Sequence, residues 1–163
     1  MTKASTKWSG WVKKRGGRIA KRLALMLILD TDHLTELDRG LPPGGRLIQR
    51  LDAYGEDPAI TIISVEEQLR GWLAQIGRLQ DPFRQAAPYR RLHERVRSFA
   101  EWNVLPWTQE AAEIFVQLRG SGVRIGSMDL KIAAIALSHG ALLLTRNLRH
   151  FERVPGLHAE DWL

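Results

Sequence analysis

The chain has 163 residues, 44% hydrophobic and 26% charged, a composition that excludes a disordered chain and fits one ordinary globular domain. It has no cysteine, which excludes disulfides and thiolate metal sites and suits a reducing cytoplasm. The net charge of +6 points to nucleic acid only until it is divided along the chain. Residues 1–22 hold eight of the 24 basic side chains and no acidic one, and the other 141 residues hold 16 basic against 18 acidic, a net of −2.

The high basicity therefore belongs to a tail, and the body contains a single lysine, Lys131. Residues 1–22 read as a basic, disordered extension and residues 23–163 as the folded domain. Two uses of the tail stay open: Trp8, Trp11 and the scattered cations stack on and neutralise nucleic acid, or the tail lies upstream of a start at Met26. The apolar run from Leu23 to Leu29 is too short for a membrane span and is followed by no small-residue cleavage site. A cytoplasmic protein without membrane insertion is expected.

In chain order, the run Leu23-Ala24-Leu25-Met26-Leu27-Ile28-Leu29 reads as a strand buried on both faces, ending abruptly at Asp30-Thr31-Asp32. A short helix from His33 to Asp38 is broken by the glycine and proline cluster at 40–45, and Arg46 to Ala53 is helical. Ala59 to Ile63 is a second, β-branched strand. Ser64-Val65-Glu66-Glu67 opens a helix whose stripe is Val65, Leu69, Trp72 and Ile76, and Asp81-Pro82 interrupts it. A longer helix runs from about Ala86 to Trp102 with Tyr89, Leu92, Val96 and Phe99 on one side, so the two helices form an arm. Arg90, Arg91, Arg95 and Arg97 lie off that stripe, as a solvated face or as a phosphate-contacting surface. Asn103 to Trp107 is a short third strand, and Thr108 caps a helix carrying Ala111, Ala112, Phe115 and Leu118. The alanine-rich segment Met128 to Ser138 is a buried helix closed by Gly140. Ala141 to Thr145 is a fourth strand, before a terminal segment ending in Asp161-Trp162-Leu163. Alternating strands and helices imply an α/β three-layer sandwich with a mainly parallel sheet of four to five strands.

Chemistry in such sheets sits beyond the carboxyl ends of the strands. Asp30 follows the first strand, Glu66 and Glu67 the second, Asp129 opens the buried helix, and Asn147 follows the fourth. Converging carboxylates raise one another's pKa values unless a cation relieves them, and a hard divalent ion such as Mg²⁺ or Mn²⁺ prefers oxygen ligands. No histidine cluster accompanies them, which disfavours zinc. Each residue also has a plainer use. Asp30 and Asp32 start a turn, Ser64-x-x-Glu67 is a capping box, Asp129 suits a helix N-terminus, and Asn147 serves a turn. All four at strand exits favour the site. Helical spacing leaves Glu66 and Glu67 undecided.

These stretches resemble PIN-domain ribonucleases, specifically the VapC-like toxins of toxin–antitoxin pairs. Leu29-Asp30-Thr31-Asp32 resembles the family's Leu-Asp-Thr-Asn/Asp motif, and Ser64 to Gly71 its Ser/Thr-x-x-Glu stretch, which selects Glu67. Asp129-Leu130-Lys131-Ile132-Ala133-Ala134 is similar to its Asp-x-x-Ile-Ala-Ala helix, and Leu144 to Leu157 to its C-terminal signature. The resemblance covers residue 26 to the C-terminus. It implies metal-assisted endoribonuclease chemistry with Asp30, Glu67 and Asp129 as catalytic residues. Those three and Asn147 would hold Mg²⁺ or Mn²⁺. It further implies a homodimer silenced by a cognate antitoxin. Asn147 stands where the family often has Asp, so the site has one charge fewer, with Glu152 or Asp32 as substitutes. Two rivals remain. One is an inactive PIN-fold module that binds RNA or antitoxin. The other is a haloacid-dehalogenase-type phosphatase, with Asp30 as nucleophile, Asp32 as acid and Lys131 as its lysine.

Overall fold

The computed structural model describes residues 25–39 and 42–163, so the basic segment 1–22, Leu23, Ala24 and the 40–41 break lie outside the described residues. Among the described residues the strands are β1 (Leu27–Leu29), β2 (Ala59–Thr61), β3 (Asn103–Leu105), β4 (Leu142–Leu144) and β5 (His158–Glu160). The helices are α1 (Thr31–Arg39), α2 (Pro42–Tyr54), α3 (Ile62–Gly77), α4 (Pro82–Phe99), α5 (Gln109–Gly120), α6 (Ser127–Ser138) and α7 (Leu148–Phe151). The strands form one sheet in the order β3-β2-β1-β4-β5, and every pairing is parallel.

The period-two alternation of side chains sorts the strands into two cores. Ile28 sits level with Ala59 and Leu143, and these three face a core shared with Ala111, Ile132, Ile135 and Phe151. Leu29 sits level with Ile60 and Leu144, and these face Leu34, Leu47, Leu51, Phe99 and Trp162. Helices thus cover both faces, which is why the central strands β1 and β4 read as unbroken apolar runs. In α6 the residues Leu130, Ile132, Ala133, Ala134, Ile135 and Ala136 are all buried, as its alanine content predicts. Gly140 beyond it has φ +56°, the left-handed conformation of a residue just past a helix end. No described helix is long and apolar enough to cross a membrane.

Several boundaries differ from the sequence reading. The glycine and proline cluster does not simply break the chain, because α2 starts at Pro42, where a missing N–H costs nothing. Gly44 lies so close to Glu36 that a Cβ would meet its carbonyl oxygen at 2.5 Å. Strand β2 stops at Thr61 because Thr61 becomes the N-cap of α3, accepting from the Ser64 amide. Ser64 is therefore inside the helix, its hydroxyl bonded to Thr61 at 3.0 Å, and the Ser64–Glu67 capping box is not formed. In the same way Asp81 caps α4 through the Phe83 amide, which moves that helix start forward to Pro82.

The arm formed by α3 and α4 holds, but its inward face differs. Tyr89 and Val96 are half exposed, whereas Arg95 is buried beside Phe99. The Arg95 guanidinium stacks 4.5 Å from the Phe99 ring, and its Nε donates to Gln68 Oε1 at 2.6 Å. A long arginine stem buries as well as an aliphatic side chain once its head is bonded, which simple apolar spacing does not register. Strand β5, within the terminal segment, pairs with β4 at the sheet edge.

Candidate active site

The strand order reverses at β1, which lies between β2 and β4, and a ligand crevice is expected beyond the carboxyl ends there. Asp30 is the first residue past β1 and continues the ladder, its amide donating to the Leu144 carbonyl at 2.9 Å. It is 7% exposed. Its Oδ1 accepts from the Thr31 amide at 2.7 Å, and its Oδ2 accepts from Thr145 Oγ1 at 2.8 Å. Burial, with the charges of Asp32 and Asp129 adding to it, pushes the Asp30 carboxyl up to about 6 despite those two hydrogen bonds.

Glu67 reaches the same place from α3. It sits on the second turn, since the helix starts at Ile62, and its Oε2 accepts from Thr31 Oγ1 at 2.6 Å. Glu66, one residue earlier, forms an ion pair with Arg70 at 2.6 Å instead. Asp129 lies in the first turn of α6, where a carboxylate complements the helix dipole. Its Oδ2 is 3.0 Å from His150 Nδ1 and accepts from Asn147 Nδ2 at 3.4 Å, while Asn147 Nδ2 and His150 Nδ1 are 2.7 Å apart.

Asp30, Glu67, Asp129 and Asn147 all line one cleft of about 580 Å³, together with Thr31, Asp32, Thr35, Glu36 and Arg146. Five carboxylates in one depression, one of them buried with a raised pKa, carry a repulsion that a divalent cation relieves. The oxygen donors suit a hard ion such as Mg²⁺ or Mn²⁺. Yet no group of three or more histidine, aspartate or glutamate side chains among the described residues forms a ready-made metal cage. The carboxylates are instead tethered to neighbouring donors: Asp30 to Thr145, Glu67 to Thr31, Asp129 to the Asn147–His150 pair.

The remaining sequence candidates separate clearly. Asp32 is in the cleft but already held by protein donors. Its Oδ1 lies 3.1 Å from His33 Nδ1 and accepts from the His33 amide, and its Oδ2 accepts from the Arg146 amide. Burial pushes its carboxyl upward, but the His33 and backbone hydrogen bonds outweigh burial and leave it below the usual range. Glu152 is exposed and does not line the cleft. Lys131 points away, its Nζ 5.9 Å from the Trp107 ring, so the phosphatase reading loses its only lysine.

Three residues that sequence reasoning passed over belong to the cleft's hydrogen-bond network: Thr31, Thr145 and His150. The rule that picked Asp30 could have found Thr145, since it is the first residue past β4 and sits beside Asp30. His150 follows Asn147 by three residues, one short helical turn.

Comparison with known proteins bears on residues 27–157 and most of the chain. The family model described as PIN domain matches residues 27–157. A tRNA(fMet)-specific endonuclease VapC of Salmonella typhimurium is 38% identical over 80 residues, which is 47% of this chain and 61% of that relative's length. Among solved structures, DNA-bound VapBC from Salmonella typhimurium superposes with a TM-score of 0.64 at 27% identity, over 85% of this chain and 99% of that one. A toxin–antitoxin complex from Klebsiella pneumoniae gives 0.59 at 26% identity, covering 80% and 94% respectively. With the five-stranded parallel sheet and a family match running from β1 to the end of the α7 loop, the chain belongs to the PIN domain family.

Proposed function

We propose that the chain is a divalent-metal-dependent endoribonuclease and the toxin of a toxin–antitoxin pair, with a cognate antitoxin as its protein partner. The observation that carries this reading is the cleft at the β1/β4 ends, with Asp30, Glu67 and Asp129 among its walls. The similarity to an endonuclease of named RNA specificity and to a toxin–antitoxin complex supports it.

Asp30, Glu67, Asp129 and the Asn147 amide oxygen would hold Mg²⁺ or Mn²⁺. When bound, such an ion lowers the pKa of water and neutralises charge on a scissile phosphate. The chain's own side chains do the positioning. Thr145 and the Thr31 amide fix both oxygens of Asp30, and the Thr31 hydroxyl fixes Glu67, so one residue orients two carboxylates from different elements. Such pre-orientation spares the reorganisation that a flexible site undergoes at each turnover. The half-buried Asn147 supplies an oxygen but no charge, which motivates a second reading, a PIN-fold module that binds RNA without cutting it.

One assay separates the two readings. RNA is incubated with the full chain and Mg²⁺ or Mn²⁺, with and without chelator, beside the Asp30→Asn variant. Cleavage that vanishes in both controls is expected. RNA bound but uncut under every metal condition would favour the binding module, and cleavage surviving in Asp30→Asn would rule out the proposed site.

A further inference from the structure

A second cavity of about 660 Å³ opens beside the acidic cleft, between α5, the turn after it and the start of α6. Its chemistry is opposite. Arg119, Arg124 and His150 stand on its walls, Phe115, Ile125 and Leu130 supply apolar surface, and among the described residues no carboxylate lines it. Neither Arg119 nor Arg124 has a carboxylate partner among the described residues. The Arg119 guanidinium lies 5.7 Å from the Phe115 ring, and Arg153 Nη1 donates to the Arg124 carbonyl at 3.4 Å, bringing a third guanidinium to the same turn. The two cavities meet at His150, which lines this one while its Nδ1 sits 3.0 Å from Asp129 Oδ2 in the other.

We propose that this cavity is an RNA subsite that takes the nucleotide next to the scissile bond, its phosphate on Arg119 and Arg124 and its base over Phe115. The inference rests on the ribonuclease reading and deepens it. A cleft lined by five carboxylates against Arg146 repels a polyanion on balance, and the body as a whole is slightly acidic, so local cations outside the cleft have to add affinity. The cavity supplies two guanidiniums without a carboxylate partner among the described residues, and His150 joins it to the cleft. Its volume lies in the range that encloses a small ligand. An arginine beside an aromatic ring over an apolar floor is the combination that holds a single-stranded nucleotide by phosphate and base together.

The test measures binding without catalysis. The full chain is titrated against a fluorescently labelled twelve-nucleotide oligoribonucleotide in chelator, across a range of salt, with folding checked by thermal melts. Arg119→Gln/Arg124→Gln is expected to weaken binding about tenfold at 0.1 M salt. It should also flatten the slope of log affinity against log salt by about 1.4, the loss of two single-strand phosphate contacts. Phe115→Leu should weaken binding a few-fold with the slope unchanged. Arg91→Gln/Arg97→Gln, on the exposed side of α4, should leave both quantities unchanged. Unchanged RNA affinity and slope in the Arg119/Arg124 variant overturn the proposal, and weakened capture of a protein partner in that same variant would assign the cavity to that partner instead. Because no metal is present, failure here is distinct from failure of the Asp30 cleavage assay.

Discussion

The acidic cleft and the basic cavity share a wall at Asp129 and His150, yet they are built by different rules. In the cleft the Asp30 charge is costly: Asp30 is buried, its pKa is raised, and its carboxyl is held from two sides by donors from two distant stretches of chain. In the cavity Arg119 and Arg124 are exposed and make no ion pair among the described residues, so keeping them there costs little. A charge held against its own desolvation is useful only where position matters to fractions of an ångström, which is the requirement of bond breaking. An exposed charge is enough where only attraction is needed. Substitutions in the cleft should therefore act strongly and independently of salt, and those in the cavity weakly and with salt dependence.

The largest contrast is expected from Asp30→Asn. Cleavage should fall at least about 10³-fold, equivalent to about 4 kcal/mol of transition-state stabilisation. The same variant should be more stable than the parent in the absence of metal. Raising the pKa from 3.8 to about 6 means that ionised Asp30 costs the native state on the order of 1–3 kcal/mol at pH 7, and the amide removes that cost. Loss of activity with gain of stability, read by an RNA assay and a chemical melt, would mark a charge kept for function. Loss of both would place Asp30 in the scaffold instead.

Glu67→Gln against Glu66→Gln tests position within the cleft. Glu67→Gln should lower cleavage about 10²-fold. Glu66→Gln should stay within about twofold, because its partner Arg70 is an exposed residue on the same helix. Comparable losses in the two would remove Glu67's special place.

The pH dependence follows from Asp30. Its native pKa lies above the unfolded value, so between pH 3.8 and about 6 the native state binds more protons than the unfolded chain. Stability without metal should therefore fall as pH rises through that window. Asp32 acts oppositely, its lowered pKa giving stability that is present above the unfolded pKa and lost as pH falls through the native one. Denaturant titrations between pH 4.5 and 7 isolate Asp30. A stability that rises with pH there would contradict the burial assigned to it, and the slope should flatten once a saturating divalent ion is added.

The two regions also differ in how legible they were from the chain. The cleft was readable because β1 and β4 are short apolar runs that end abruptly, and a parallel sheet brings such ends to one edge. Asp30 and Asn147 follow from that alone, and the alanine-rich α6 with Asp129 in its first turn is equally plain. The position of Thr145 was open to the same rule, but the hydrogen bonds that Thr31 and Thr145 make were not readable, since a threonine beside a leucine-rich strand is also ordinary strand composition. The start of α3 was misplaced because Thr61, Ile62 and Ile63 favour strand, and only the cap hydrogen bond from the Ser64 amide decides for helix. The basic cavity was only partly traceable: Arg119 and Arg124 flank a single turn, but His150 comes from a distant stretch, and its nearness depends on how α7 packs on α6.

The smallest and most discriminating expected effect belongs to Asn147→Asp. Restoring a charge beside Asp129 should tighten Mg²⁺ binding several-fold, measured by calorimetry at pH 7.5, since hard-ion affinity rises with ligand charge. The same change puts a like charge in place of the amide donor that Asp129 now has at 3.4 Å, so the metal-free melting temperature should fall. The two shifts have one cause, repulsion that an ion relieves, and must appear together if Asn147 faces the ion. A drop in metal-free stability with unchanged Mg²⁺ affinity would leave Asn147 as a strut for Asp129 and His150, and the metal to Asp30, Glu67 and Asp129 alone.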